Sequence, residues 1–396
     1  MTKIDPSQKK TFADATRLVH SGRNADETFG FVNIPPYRGS TVTYPNAKAC
    51  LAGQNRFTYG RRGNPTSEAL ETLWSEMEGA AGTVICPSGA SAASTALLSC
   101  LKAGDHLLVT DSTYRPTRQF CTHILARYGI ETSYYDPMIG AGIADLIRPN
   151  TRAIHTESPG SQTFEVQDIP AIVAVAKARG ITTLMDNTWA TALLFKPLDF
   201  GIDISINAAT KYPSGHSDVL IGLVAANEAH FPALKATHGD LGIYLGPDDV
   251  FLTLRGLRSM PLRMKEQGAN ALAIAQHLAG SPGVKTVLHP ALPSCPGHDV
   301  FKRDFRGASG LFSIILDAKS DEAVIAFLDT LRLFAMGYSW GGYESLAVPF
   351  DCTPYRSATP YNPGGRGVRL SIGLEAPEDL IADLEAGLAA MRALGE

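Results

Sequence analysis

Apolar residues recur along this chain in two rhythms. From Asn64 the rhythm is helical: Asn64 suits an N-cap, Pro65 fits the first turn, and Leu70, Leu73, Trp74 and Met77 share one face before Gly79. A second helix reads from Asp168 as cap, through the stripe Ile169, Ile172, Val173 and Ala176, to Lys177, Arg179 and Gly180. Strand-sized apolar runs lie between: Thr83 to Cys86, His106 to Thr110, Thr132 to Tyr135, Ala153 to Glu157, Ile181 to Asp186 and Ile202 to Asn207. Such alternation predicts an α/β architecture on a mostly parallel sheet covered on both faces. Ligands in that architecture gather beyond the carboxyl ends of the strands.

The rhythm is weak at the start of the chain and changes toward its end. Residues 1–62 are rich in turn formers, as in Asn33-Ile34-Pro35-Pro36, and read as an extended arm. Residues 63–256 carry the strand–helix alternation. Residues 257–396 bring longer helices, a Pro/Gly-rich stretch from His289 to Gly297, and strands at Gly310 to Leu316 and Val368 to Leu374, predicting a second, α+β domain. In the last strand Val368, Leu370, Ile372 and Leu374 face one way, which turns Arg369, Ser371 and Gly373 the other way.

Composition narrows the function classes. With 35 Lys+Arg against 39 Asp+Glu the 396-residue chain carries a formal charge of −4, and no domain-sized region is basic, so nucleic acid is not an expected partner. No window reaches the ~18 apolar residues of a membrane span, and Met1 to Lys10 lacks the apolar run of a secretory signal, so a cytoplasmic protein without a membrane partner is expected. The six cysteines are scattered without metal-ligand spacing and read as buried thiols. The ten histidines show no His-Glu-x-x-His, so no metal is expected; a Gly-x-Ser-x-Gly elbow is also missing.

Four strand ends or helix starts carry chemistry-bearing residues. Ser88-Gly89-Ala90-Ser91 is a small-residue turn whose helix amides suit an anion. Asp186 ends an apolar strand, Lys211 follows another within Ala208-Ala209-Thr210-Lys211-Tyr212, and Tyr114 brings a ring to the same edge. Each has a plain reading when taken singly: helix–sheet packing, a cap, a solvated lysine, a core aromatic. Together they supply a phosphate cradle, an acid, an amine and a stacking ring, the set that pyridoxal 5'-phosphate requires. Lys211 would bind the aldehyde, Asp186 would keep the ring nitrogen protonated, and Tyr114 would hold the ring face. Gly89, Ala90 and the Thr210 hydroxyl would hold the phosphate.

The runs Tyr59-Gly60-Arg61-Arg62-Gly63-Asn64-Pro65-Thr66, Asp186-Asn187-Thr188-Trp189-Ala190, Ala209-Thr210-Lys211-Tyr212 with Gly215-His216-Ser217-Asp218, and Tyr338-Ser339-Trp340-Gly341-Gly342-Tyr343-Glu344-Ser345 resemble the transsulfuration enzymes of Cys/Met metabolism, over essentially the whole chain. The resemblance implies fold type I of the pyridoxal-phosphate-dependent transferases (aspartate aminotransferase-like), with a mostly parallel seven-stranded sheet in the large domain and a smaller C-terminal domain. It implies a homotetramer of active dimers, in which Tyr59 and Arg61 reach the neighbouring subunit's cofactor phosphate. It also makes Arg369 the substrate-carboxylate anchor, places Ser339 and Trp340 beside substrate and lysine, and gives Tyr114 and Tyr59 a part in deprotonating the incoming amine.

Within the family, Trp340 stands where γ-acting relatives usually carry Leu, and Ser161 where many carry Asn. Both lean toward β-elimination of L-cystathionine to homocysteine, pyruvate and ammonia, a lyase step of methionine biosynthesis, with chemistry at Cγ on the same cofactor, as in a γ-lyase, γ-synthase or sulfhydrylase, as the alternative. Ala208 replaces a Ser that helps to bind phosphate in many relatives, and no Cys follows Tyr114 as in methionine γ-lyases. A dinucleotide enzyme would need the turn Gly140-Ala141-Gly142-Ile143-Ala144-Asp145, which lacks the third glycine and a strand leading into it. A binding protein without catalysis would have no use for the lysine.

Overall fold

Seven strands form one sheet in the order β1-β7-β6-β5-β4-β2-β3: β1 (Gly82–Cys86), β2 (His106–Thr110), β3 (Glu131–Tyr135), β4 (Thr151–Glu157), β5 (Thr182–Asp186), β6 (Ile204–Asn207) and β7 (Gly222–Ala226). This computed structural model describes residues 11–23 and 25–394; the basic start Met1 to Lys10 lies outside the described residues. The pairs from β3 through β2, β4, β5 to β6 are parallel, and β7 runs antiparallel to both β6 and β1. The fold is therefore the expected mostly parallel α/β sheet. β7 is the exception that the strand–helix alternation could not show, because β6 and β7 are joined by the loop that carries Lys211 rather than by a helix.

The helix Pro65–Glu78 forms as its sequence demands. Asn64 Oδ1 accepts from the amides of Thr66 and Ser67, Ser67 Oγ accepts from the Asn64 amide, and Gly79 ends the helix at φ +71°. Leu70, Leu73, Trp74 and Met77 are wholly buried, each contributing about 1.5–3 kcal/mol by leaving water. The helix Gly89–Cys100 buries Ala92, Ala93, Ala96 and Leu97 against Val84, Val109 and Val224 of the sheet; such small residues let it lie close to the strands.

A second sheet, antiparallel throughout, takes the order β10-β11-β9-β8, with β8 (Val284–Leu288), β9 (Leu311–Leu316), β10 (Leu346–Phe350) and β11 (Arg366–Ser371). The helices Met260–Leu278 and Pro377–Ala393 help to cover it: Ile274, Leu278, Leu384 and Leu388 pack with Phe312, Ile314, Val368 and Leu370. β8 and β10 escape a periodicity reading. β8 alternates only weakly, and β10 contains Pro349, admissible here on an edge strand. The polar side of β11 is buried too, since Arg369 and Ser371 lie under 10% exposed.

The arm departs from the extended expectation. Asp14–His20 is helical and its Leu18 is fully buried with Leu70 and Leu73, while Asp14 pairs with Lys196 at 2.9 Å and Arg306 at 3.3 Å. Local periodicity is too short there to announce a helix that tertiary burial stabilises. The cysteine expectation needs a similar correction: Cys50 is exposed and Cys100 only partly buried, the other four being buried. The segment Gly140–Leu146 is a run of 3-10 turns and does not follow directly from a strand, β3 having ended at Tyr135. No helix among the described residues is long and apolar enough to cross a membrane.

Candidate active site

A cavity of about 200 Å³ opens where β4, β5 and β6 end and the second sheet meets the first. Its walls include Gly89, Ala90, Tyr114, Asp186, Thr210, Lys211, Trp340 and Arg369. The four features separated in sequence thus converge on one space with Leu311, Tyr338, Trp340 and Arg369 from the C-terminal half.

Lys211 sits in the turn after β6. Its Nζ donates to Ser339 Oγ at 3.0 Å and lies 5.3 Å from the centre of the Trp340 ring. Burial, helped by the positive Arg369 and opposed by Asp186, brings its pKa down to about 8, so a usable fraction is free amine near neutrality. The segment carrying Ser339 and Trp340 reaches the lysine because Gly341 has no side chain: a Cβ there would lie 3.0 Å from the Tyr212 nitrogen, and φ is +82°. Trp340 also meets the Tyr212 ring edge-on at 5.5 Å.

Asp186 ends β5 and accepts the Thr188 amide at 3.0 Å and the Thr188 hydroxyl at 2.5 Å, both on Oδ1. Burial raises its pKa, while the two Thr188 donors and Lys211 pull the other way. Its neighbour Glu157, at the end of β4, lines the same cavity and takes the Tyr114 amide at 2.6 Å and the Thr113 hydroxyl at 3.2 Å. Burial and Asp186 push Glu157 well above the usual carboxylate range. The sequence reading passed over Glu157, although it occupies the same kind of strand end as Asp186. Thr188 and Trp189 entered only as part of the motif after Asp186, and Gln162 was missed as well; nothing in its local pattern marks it as a cavity residue.

Tyr114 is half-exposed to the cavity, its backbone tied to Glu157. Burial, Asp186 and Glu157 raise its phenol and Arg369 lowers it, so the environment favours a protonated ring for stacking over a base. Arg369 donates to the Ser339 carbonyl at 3.3 Å; burial lowers its pKa to about 10, leaving it a cation at neutral pH. His216, by contrast, bonds its own turn through Nδ1 and the Ser214 carbonyl and tilts against the Tyr343 ring.

The residues present fit pyridoxal phosphate. The amides of Gly89 and Ala90 begin a helix and have no acceptor among the described residues, which is what a phosphate needs. A Cβ at Gly89 would come within 2.5 Å of the Ala208 Cβ, so this approach requires glycine. One detail differs from expectation: the Thr210 hydroxyl donates to the Ile221 carbonyl and accepts the Ile221 amide, so as placed its proton is already committed. Tyr59 and Arg61 do not line this cavity. Tyr59 is exposed, and Arg61 donates to the Gly239 carbonyl of its own chain.

Comparison with known proteins accords with this geometry. The family model of Cys/Met metabolism PLP-dependent enzymes matches residues 15–389, and the chain belongs to that family. Pyridoxal 5'-phosphate is accordingly its cofactor, and it is an enzyme of fold type I. The chain is 52% identical over 386 residues to a putative cystathionine beta-lyase of Rhizobium johnstonii, covering 96% of each. It is 43% identical to cystathionine beta-lyase MetC of Escherichia coli, covering 94% of this chain and 98% of that one. Among solved structures, cystathionine gamma synthase of Xanthomonas oryzae pv. oryzae in complex with aminoacrylate and cysteine superposes with a TM-score of 0.89 at 32% identity, covering 96% of this chain and 99% of the other.

Proposed function

We propose that the chain catalyses the pyridoxal-phosphate-dependent β-elimination of L-cystathionine to homocysteine, pyruvate and ammonia. The observation that carries this reading is the convergence of Lys211, Asp186, Tyr114 and Arg369 on one cavity. The two relatives named as cystathionine beta-lyases support the choice of bond.

When bound, the cofactor supplies an electron sink for the pair left at Cα, a capacity that the Asp186 carboxylate sustains by favouring a protonated ring. Gly89 and Ala90 offer amides to its phosphate, and Tyr114 covers its ring. Arg369 pairs with the substrate's α-carboxylate through forked donors, and Ser339 fixes both that arginine and the lysine, through its carbonyl and its hydroxyl. Lys211 removes the Cα proton at Nζ and delivers a proton to sulfur as the Cβ–S bond breaks. The released 2-aminoacrylate takes up water and yields pyruvate and ammonia.

The working enzyme in this proposal is a cytoplasmic homotetramer of active dimers. Tyr59 is solvent-facing on a segment that also exposes Phe29, Phe31 and Leu51, an apolar surface suited to a second copy. From there Tyr59 and Arg61 would reach the neighbouring cofactor. Six free thiols suit a reducing compartment. The test is to incubate the holoprotein with L-cystathionine and identify the 2-oxo acid. Pyruvate is expected, and 2-oxobutyrate would overturn the assignment in favour of Cγ cleavage.

A further inference from the structure

Gln162 enters the cavity wall from the loop after β4, with φ at +67°, a region few residues other than glycine adopt. Its Oε1 accepts from the Tyr355 hydroxyl at 2.9 Å and the Cys352 thiol at 3.3 Å. Those two lie on the segment between β10 and β11, outside the cavity wall. The segment is firmly tied down. Asp111 accepts the backbone amides of Ser357, Ala358 and Thr359, and Arg356 pairs with Glu165 at 2.9 Å.

Both groups facing Oε1 keep their protons, since burial pushes the Cys352 thiol up to about 11 and Tyr355 higher still. The structure turns Oε1 toward that hydroxyl and thiol, which also bond each other at 3.0 Å, and leaves Nε2 as the free edge of the amide. Among the described residues Nε2 has no acceptor. The α-carboxylate of a bound amino acid already has Arg369. An ammonium has no lone pair to offer, and a thioether sulfur is a poor acceptor.

We propose that Gln162 is a specificity-determining residue that donates from Nε2 to the second carboxylate of the substrate, on the far side of sulfur. This rests on the β-elimination reading and deepens it. The site then prefers thioether amino acids whose leaving arm ends in a carboxylate over those with a plain alkyl arm.

The test compares L-cystathionine with S-ethyl-L-cysteine, which has the same Cβ–S bond and no second carboxylate, in the holoenzyme. In Gln162→Leu the ratio of the two kcat/KM values should fall about tenfold or more, carried by the KM for L-cystathionine. Gln162→Glu should lower it further, because carboxylate then faces carboxylate. Tyr355→Phe, which leaves the amide in place with one donor fewer to orient it, should lower the ratio by a smaller factor. The cofactor's visible absorbance reports that each variant keeps its site. A ratio equal to wild type in Gln162→Leu, or in Tyr355→Phe and Gln162→Glu should Gln162→Leu fail to fold, would overturn the proposal. The ketoacid produced by wild type is read in the same assay: 2-oxobutyrate would reject the bond assignment, whereas pyruvate with an unchanged ratio rejects Gln162 alone.

Discussion

Glu157 and Asp186 stand directly opposite each other at the carboxyl ends of β4 and β5, and both line the same cavity. Two buried carboxyls this close do not both ionise readily. Each accepts two donors, but only Asp186 also has Lys211 beside it, so the anion is favoured on Asp186 while Glu157 is pushed well above the usual carboxylate range.

That division is testable by removing each charge separately. Asp186→Asn should cost roughly a hundredfold or more in kcat, since it removes the anion proposed to serve the cofactor ring. Glu157→Gln replaces a neutral acid with a neutral amide that still accepts the Tyr114 amide, and should cost less than about tenfold. Equal losses, measured as steady-state kcat, would show that the charge is shared otherwise.

Ser339→Ala removes the acceptor 3.0 Å from Lys211 Nζ. Hydrogen bonding to the ammonium favours the charged form, so its loss should lower the lysine pKa below the value of about 8 in the parent. The rate at which apoprotein captures pyridoxal phosphate, followed against pH, should then reach half its plateau at lower pH than in the parent.

Arg369→Lys keeps a positive charge but loses the planar fork. A roughly tenfold to hundredfold rise in the KM for L-cystathionine is expected, with kcat reduced less, since the change falls mainly on carboxylate binding.

Glu78 is buried beside Ser205, whose hydroxyl reaches Oε1 at 3.1 Å, and burial raises its pKa to about 8. A raised acid pKa means that the folded state holds the proton more tightly. The stability this confers is full below the ordinary carboxylate range and is lost as pH rises toward 8. Glu78→Gln should therefore match the parent's Tm near pH 5 and exceed it at pH 9, as read by thermal unfolding.

Asp111 is wholly buried between Arg118, 2.5 Å away, and Arg356, at 3.3 Å, besides accepting the three amides of the β10–β11 segment. Asp111→Ala leaves the buried Arg118 without its carboxylate, while Arg356 keeps Glu165 at 2.9 Å, a loss on the order of 3–5 kcal/mol that calorimetry would register as a clear drop in Tm.

Lys211, Asp186 and Tyr114 were legible in the sequence because each follows an apolar strand whose end is marked by small or polar residues. Arg369 was legible through alternation in β11. Glu157 obeys the same rule as Asp186, and only the register between β4 and β5 shows that it shares the cavity. Gln162 gave no signal at all. Its role depends on Tyr355 and Cys352, nearly two hundred positions away in the chain.

Residue order by itself determined what is local: the capping box of Pro65–Glu78, the strand–helix alternation that requires a covered parallel sheet, and the motifs that mark the family. Those follow from periodicity and from hydrogen bonds between near neighbours. Tertiary structure alone decided the antiparallel seat of β7, the docking of Leu18, the pairing of Glu157 with Asp186, and the lowered lysine pKa. Each of these is a matter of burial or of charges brought close by distant segments, and neither quantity exists until the chain has folded.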